Sequence, residues 1–392
     1  MVGRLAEFRR ELHKIPEVGF DLPETRAYVK KVLEGLPCEI TLIGPASLCA
    51  FFDAGRDETL AFRSDMDALP LVEENATEYK SLHEGKMHAC GHDGHMAILL
   101  AFAEELAARL KELPRNALLI FQAAEETTGG ALEICESGIL ARYGVERVYG
   151  LHLWPNRPAG EVVCRKNEFM ARTCNISVGF HGKSTHAAYA ERGIDALESG
   201  VRFVESAYAM EKGELPSDVF RLLKFGIFRS GTAVNVIAGH AVVEGTMRCF
   251  QPEVYDMMER RLHEIGESLR EKTGCRVEIE FSQGYPALIN GEGIFDDFRE
   301  ALAADATALP ALSDGSRVGA FRLTEPEAPC MTGEDFSFYQ QAVPGLFFHL
   351  GLGPGAPLHS GRFDFDEAVL RNGVEIYWRL LFLSGQTDDN VL

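Results

Sequence analysis

The sequence predicts a two-domain α/β protein: a discontinuous main domain with a largely parallel sheet, and a small ferredoxin-like βαββαβ domain inserted in its middle. Three observations carry this. A chain of 392 residues exceeds what one compact core serves. Its first part alternates short apolar runs with helical patterns. After about Arg172 the texture becomes period-two alternation, and the first texture returns after Gly284-Tyr-Pro286.

The main-domain elements follow in order. An amphipathic helix opens the chain at Met1-Val-Gly-Arg-Leu-Ala-Glu-Phe-Arg-Arg10. Leu60-Ala-Phe62, Leu118-Leu-Ile-Phe121 and Val148-Tyr-Gly-Leu-His-Leu153 read as strands, with a helix beginning near Gly94 between the first two. Strand–helix alternation of this kind gives a parallel sheet, and such sheets bind ligands beyond the carboxyl ends of their strands. Pro344-Gly-Leu-Phe-Phe-His-Leu-Gly351 supplies a further strand after the insertion.

Within the insertion, Cys174, Ile176, Val178 and Phe180 alternate as in a half-buried strand. A helical stripe is expected at Ile194, Leu197, Val201, Val204 and Tyr208. Strand patterns follow at about 219–228 and 240–249. A helix with Val254, Met258, Leu262, Ile265 and Leu269 on one face comes next, then a strand through Cys275, Val277, Ile279 and Phe281. The order is β-α-β-β-α-β. The expected domains are 1–172 with 284–392, and 173–283.

Composition excludes several classes. The apolar fraction of 46% and charged fraction of 25% are those of an ordinary globular protein. No apolar run reaches membrane-span length and no signal-peptide core opens the chain, so a cytoplasmic protein is expected. The nine cysteines include no C-x-x-C pair, which fits a reducing compartment. A net charge of −20 opposes nucleic acid and anionic membranes as partners.

The chemistry gathers at the strand ends. Met87-His-Ala-Cys-Gly-His-Asp-Gly-His-Met96 packs three histidines, a cysteine and an aspartate into ten residues. Its spacing alone leaves open a metal site, a thiol nucleophile with its base (Cys90 with His92), and a polar loop. Asp65 and Asp67 follow one strand, Glu125-Glu126 another, His152 lies in a third, and His359 comes after the 345–351 strand. A structural zinc site would be compact, with ligands in paired spacing. Dispersed N, O and S donors with carboxylates suit an open catalytic centre of one or two ions. In the glutamate pair, one carboxylate can ligate while its neighbour takes a proton from water. The pair alone could equally be a helix start.

Four segments, Met87–His95, Arg63-Ser-Asp-Met-Asp-Ala-Leu-Pro70, Phe121-Gln-Ala-Ala-Glu-Glu126 and Gly150-Leu-His152, closely resemble the amidohydrolase branch of the aminoacylase/carboxypeptidase metallohydrolases. That branch includes hippurate hydrolases, auxin-conjugate hydrolases and N-acetyldiaminopimelate deacetylases. The resemblance continues, in family order, through Gly182-Lys-Ser-Thr-His-Ala-Ala188, Gly231-Thr-Ala-Val-Asn-Val-Ile237, Glu244-Gly-Thr-Met-Arg248 and Met331-Thr-Gly-Glu-Asp-Phe336.

The resemblance implies a dinuclear centre for two divalent ions (manganese, zinc or cobalt) bridged by Cys90, with His92, Glu126, His152 and His359 completing the ligands. It implies Glu125 as general base and Asp67 as a carboxylate orienting a ligand. Asp65, where the peptidase branch has a histidine ligand, is expected to support rather than ligate. The inserted domain resembles the family's lid and dimerisation domain, implying a homodimer. His186 would steady the oxyanion from a partner subunit. Asn235 and Arg248 would bind substrate, Arg248 as clamp for an α-carboxylate, with Gly333 beside it. The implied reaction splits the amide of an N-acyl amino acid into a carboxylate and a free amino acid. A non-catalytic binder of amino-acid conjugates is the alternative. Departures from the family pattern are Ala123-Ala124 where proline is common, Ser184-Thr185 in place of Gly-Gly, and Ala190 in place of proline. None removes a donor atom. His88 and His95 are expected to orient or pack, and His13 is assigned no chemistry. Neither the acyl group nor the amino acid is legible.

Overall fold

The computed structural model describes residues 1–127, 129–319 and 321–383. The chain divides into two compact units, one of Met1–Phe169, Ile289–Ala328 and Asp335–Leu392, the other of Met170–Leu288 and Pro329–Glu334. Residues 384–392 of the expected main domain lie outside the described residues. The second unit begins at Met170 rather than Thr173, ends at Leu288 rather than Gln283, and takes in the 329–334 segment. That segment joins it because the Ala171 amide donates to the carbonyls of Cys330 and Thr332 at 3.1 and 2.9 Å. Local composition does not report such long-range pairing.

Before the insertion the first unit holds helix α1 (Val2–His13), strands β1 (Glu39–Ile43), β2 (Ser47–Phe52) and β3 (Thr59–Asp65), helix α2 (His92–Ala108), and strands β4 (Asn116–Gln122), β5 (Val145–Trp154) and β6 (Val162–Val163). The second unit holds β7 (Arg172–His181), α3 (Ala196–Gly213), β8 (Arg221–Ser230), β9 (His240–Cys249), α4 (Pro252–Thr273) and β10 (Arg276–Phe281). The first unit then resumes with β11 (Leu323–Thr324), β12 (Gly345–Gly351) and α5 (Leu370–Leu383).

The first unit's sheet has the order β1-β2-β4-β3-β5-β12-β6-β11. Its centre, β4, β3, β5 and β12, is parallel as the alternation predicts. Its flanks are mixed: β1 and β2 form an antiparallel hairpin, β2 joins β4 antiparallel, and so does β12 with β6, whereas β6 pairs with β11 in parallel. Every residue of β3, β4 and β12 is buried, as in strands covered on both faces. The ring of Phe62 on β3 lies 4.9 Å from both Phe102 on α2 and Tyr377 on α5. Burial of each such ring contributes about 1.5–3 kcal/mol. This core fixes the strand ends and the start of α2, from which the donor residues project.

The second unit is a four-stranded antiparallel sheet in the order β10-β7-β9-β8. Cys174, Ile176, Val178 and Phe180 of β7 are buried against the helices, as their alternation predicts. On α4, Met258, Leu262, Ile265 and Leu269 are buried as expected, with Tyr255 and Gly266 beside them. The stripe expected on α3 is displaced. Its buried face is Ala196, Ser199, Gly200, Phe203, Ala207 and Met210, whereas Leu197 and Val201 are 45% and 44% exposed. Gly200 explains the rotation: a Cβ there would meet the Phe228 ring at 2.7 Å, so the small residue, not the large ones, faces the sheet.

Candidate metal centre

Cys90 and His92 straddle Gly91 at the start of α2. Gly91 has φ +89°, a left-handed conformation that costs glycine little, and it turns the two flanking side chains toward one space. Asp93 in the first turn suits the positive end of the helix. Glu125 and Glu126 leave the end of β4 in a turn. Ala124, just before them, has φ 60° without being glycine, and His359 has φ 61°. Left-handed backbone at non-glycine residues stores strain of order 1–3 kcal/mol and clusters at functional sites. His152 lies within β5 and stays buried.

Hydrogen bonds fix which nitrogen each histidine presents. His92 Nδ1 donates to the Asp67 carbonyl at 2.8 Å, leaving Nε2 to the site. His152 Nδ1 donates to the Leu153 carbonyl at 2.8 Å, which turns Nε2 to Cys90 Sγ at 3.3 Å. His359 Nε2 lies 3.2 Å from Glu126 Oε1, and His92 Nε2 lies 3.9 Å from the same oxygen. The donors form two compact groups, Cys90–His92–His152 and Cys90–Glu126–His359. Cys90 belongs to both. His92 Nε2 is buried without a hydrogen-bond partner among the described residues, and Glu126 Oε1 has none in good geometry although His359 Nε2 stands 3.2 Å away. A buried acceptor left this way costs about 1–3 kcal/mol, so an arrangement that aims two of them at one space fits cations.

Electrostatics point the same way. Burial pushes the Cys90 thiol well above its ordinary range, and Glu126 and Glu125 push it further. Burial opposes the charge on His92, yet Asp65, Asp67 and Glu126 outweigh it and push His92 up to about 10. Protein alone leaves this acid-rich pocket poorly balanced, and divalent cations would invert both shifts. A thiol nucleophile would have His152 Nε2 beside it at 3.3 Å as a base, but these carboxylates oppose a thiolate.

Asp67, wholly buried, accepts the Glu125 amide at 3.0 Å through Oδ1 and the Glu126 amide at 3.1 Å through Oδ2. It therefore orients the turn that carries both glutamates as well as lying 3.6 Å from His92 Nδ1. Asp65 accepts from His95 Nδ1 at 2.7 Å and from Arg63 Nη1 at 2.9 Å. His95 Nε2 accepts the Leu153 amide at 2.9 Å, so both its nitrogens are engaged and it packs rather than ligates. His88 is buried and makes no hydrogen bond among the described residues.

His186, Asn235, Arg248 and Gly333 fall in the second unit. The Ala187 amide donates to the Asn235 carbonyl at 2.9 Å, which sets His186 and Asn235 on adjoining segments. Arg248 is half-buried, with Nη1 donating to the Met247 carbonyl at 2.9 Å and to Thr246 Oγ1. At Gly333 a Cβ would lie 2.1 Å from Thr173 Cγ2, so any larger residue would have to displace the Thr173 side chain.

Two supporting networks were not assigned from sequence. Arg63 donates to Gln122 at 2.9 Å and to Asp335 at 2.8 Å besides Asp65. Asp93 accepts from Arg9 Nε at 2.9 Å and pairs with His13 Nδ1 at 2.7 Å. Arg63 and Asp335 stood in recognised motifs, but partners this distant in sequence leave no local signal.

Residues 61–382 match the model of peptidase family M20/M25/M40. The chain belongs to that family. Among its relatives, an N-acetyldiaminopimelate deacetylase of Ligilactobacillus salivarius is 33% identical over 376 residues, covering 95% of this chain and 94% of that one. An uncharacterised hydrolase of Staphylococcus epidermidis is 32% identical, covering 95% and 96%. The crystal structure of the Bacillus subtilis YxeP protein, described as a dinuclear metal-binding peptidase of the M20 family, superposes with TM-score 0.81 at 27% identity, covering 97% of each chain. These M20 relatives fit the amidohydrolase branch that the motifs resemble, and they support a metal-dependent hydrolase. Among the described residues, no helix is long and apolar enough to cross a membrane.

Proposed function

We propose that this M20 member is a dinuclear amidohydrolase that cleaves N-acyl amino acids to a carboxylate and a free amino acid. The observation that carries the reading is Cys90, shared by two donor groups, with Glu125 in a further donor group beside His92 and Glu126. Cys90, His92 and His152 would hold one divalent ion, and Cys90, Glu126 and His359 the other. When bound, the ions supply a nucleophilic water near neutral pH and polarise the scissile carbonyl. Glu125 takes the proton of the attacking water and returns it to the departing amine nitrogen. Asp67 holds the Glu125–Glu126 turn through both backbone amides. Manganese, zinc or cobalt suits the mixed S, N and O donors.

The 4-1-3-2 antiparallel order of the second unit supports reading it as a ferredoxin-like lid and dimerisation domain. In that reading His186, from a partner subunit, stabilises the oxyanion, while Asn235, Arg248 and Gly333 bind substrate and Arg248 clamps its α-carboxylate. The exposed apolar face of α3, Leu197 and Val201, and Ile227 and Phe228 on the neighbouring edge strand β8, support a homodimer. The net charge of −20 supports excluding nucleic acid and anionic membranes as partners, and nine cysteines without a C-x-x-C pair support a cytoplasmic location. The relative that acts on N-acetyldiaminopimelate supports an acetyl or similarly small acyl group.

Amine release from N-acetyl, N-benzoyl and indoleacetyl amino acids, measured on chelator-stripped and manganese-reloaded protein, tests this. Release only after reloading supports the reading, and the best substrate identifies the acyl group. Equal activity of stripped protein would return Cys90 to the role of nucleophile. Metal binding without release would favour a non-catalytic binder.

A further inference from the structure

The two donor groups of the centre rest on supports of unequal firmness. His92 begins a buried helix and His152 is part of a central strand, and both side chains are buried. His359 sits in irregular chain after β12, with left-handed φ 61° and a side chain that is 52% exposed. Its position depends on what fastens the segment around it. The His359 amide donates to the Ala89 carbonyl at 2.8 Å, and the Glu74 amide to the Gly361 carbonyl at 2.7 Å. Beyond these backbone bonds, Phe363 is buried in the core, Asn75 Nδ2 donates to the Phe363 carbonyl at 3.1 Å, and Asp364 ties the segment to α1.

Arg9 on α1 makes that tie. Its Nη2 donates to Asp364 Oδ1 at 2.7 Å and its Nε to Asp93 Oδ2 at 2.9 Å. The guanidinium lies 4.3 Å from the Phe365 ring centroid, and its side chain is fully buried. Asp93 directly follows His92, and Asp364 follows His359 by five residues. A single guanidinium therefore couples the segment carrying Cys90 and His92 to the segment carrying His359. The fork of an arginine reaches two carboxylates in fixed directions, which a lysine ammonium on its flexible stem does not reproduce. Tyr79 donates to Asp364 Oδ2 at 2.9 Å and accepts from Arg9 Nη1 at 3.3 Å, closing the cluster.

Resting on the two-ion reading above, we propose that Arg9 is a positioning residue that sets the affinity of the Cys90–Glu126–His359 site for its ion by clamping Asp364 to Asp93. Without the clamp His359 samples positions away from Glu126, and the second ion is held more weakly. The Cys90–His92–His152 site keeps its helix and strand supports.

The test titrates metal-stripped full-length protein with Co²⁺, following stepwise binding by calorimetry and the cobalt–thiolate absorption that reports Cys90. Arg9→Lys and Asp364→Asn are compared with wild type. Arg4→Ala is the control, because Arg4 lies on the same helix, is 41% exposed and pairs with Glu7 and Glu104 rather than with any member of the Arg9 cluster. Asp364 is 30% exposed, so its asparagine variant keeps the proposal testable if the buried Arg9 substitution does not fold. Wild type and Arg4→Ala should bind two equivalents. The Arg9 and Asp364 variants should lose about tenfold or more in the second constant, in line with supporting-residue effects on metal sites, while the first changes little. Unchanged constants in folded variants, equal weakening of both, or a wild type that binds a single ion would each overturn the proposal. A wild type that binds two ions yet hydrolyses no N-acyl amino acid would refute the substrate reading, and the cobalt constants would still judge Arg9.

Discussion

Asp67 holds Glu125 by the backbone: its Oδ1 accepts the Glu125 amide at 3.0 Å while Oδ2 accepts the Glu126 amide at 3.1 Å. One buried carboxylate thus aligns a proposed base and a proposed ligand at once. Asp67→Ala should lower metal affinity or kcat by about 10–100-fold. Asp67→Asn, which keeps one acceptor, should lose less. Equal activity of the alanine variant at full metal occupancy would show that the turn holds itself.

Glu125 and Glu126 are expected to separate in their effects. Glu125→Gln should retain two equivalents of metal and lose about 10²–10⁴-fold in kcat, the span of a general base. Glu126→Gln should lose metal first. Metal content by elemental analysis beside kcat distinguishes the two, and identical behaviour would contradict the division of roles.

Replacing the shared donor should weaken both sites together. Cys90→Ser substitutes a poorer ligand for a soft thiolate, and metal content after dialysis should fall for both equivalents. Cys90→Asp restores an anionic oxygen bridge and should recover manganese better than zinc. A serine variant that keeps both ions would remove Cys90 from the bridging position.

Arg248 is expected to act on KM. Arg248→Met should raise KM about 10–100-fold for substrates with a free α-carboxylate, the worth of a hydrogen bond to a charged group. C-terminally amidated analogues should be indifferent to the change. If both substrate types lose equally, Arg248 supports the second unit's fold rather than the substrate.

Beneath the centre, His13 links stability to pH. Burial opposes its charge, but Asp93 at 2.7 Å and Glu73 at 3.4 Å outweigh burial and the nearby Arg9, pushing its pKa up to about 9. A folded pKa above the unfolded value of about 6.5 means that protonation favours the fold. The contribution is complete below about pH 6.5 and is lost as pH rises through about 9. Denaturant unfolding of metal-stripped protein should show stability falling across that window, by at most about 1.4 kcal/mol per pH unit. His13→Gln should flatten the slope, and an unchanged slope would assign it elsewhere.

The motif-bearing segments foreshadowed much of the centre, because Cys90 and His92 stand at a helix start, Glu125 and Glu126 just past a strand and His152 near a strand's end, where the pattern is local, whereas His359 lies in irregular chain. The alternation of Leu60–Phe62, Leu118–Phe121 and Val148–Leu153 predicted a parallel core, and β3, β4 and β5 form it. The antiparallel flanks escaped because a hairpin at the sheet edge carries the same apolar pattern as an interior strand. The α3 stripe was misread because large apolar residues there are exposed, while Gly200 faces the sheet.

By itself, the sequence determined the fold class, the inserted βαββαβ order and the residues from which a metal centre could be assembled, since these follow from residue chemistry and short-range periodicity. Only the tertiary structure decided that Asp67 holds the amides of both Glu125 and Glu126, that His95 spends both nitrogens on Asp65 and Leu153, and that Arg9 joins Asp93 to Asp364. Those relationships connect residues tens to hundreds of positions apart. Their energy depends on distance and direction in space, which no local pattern encodes.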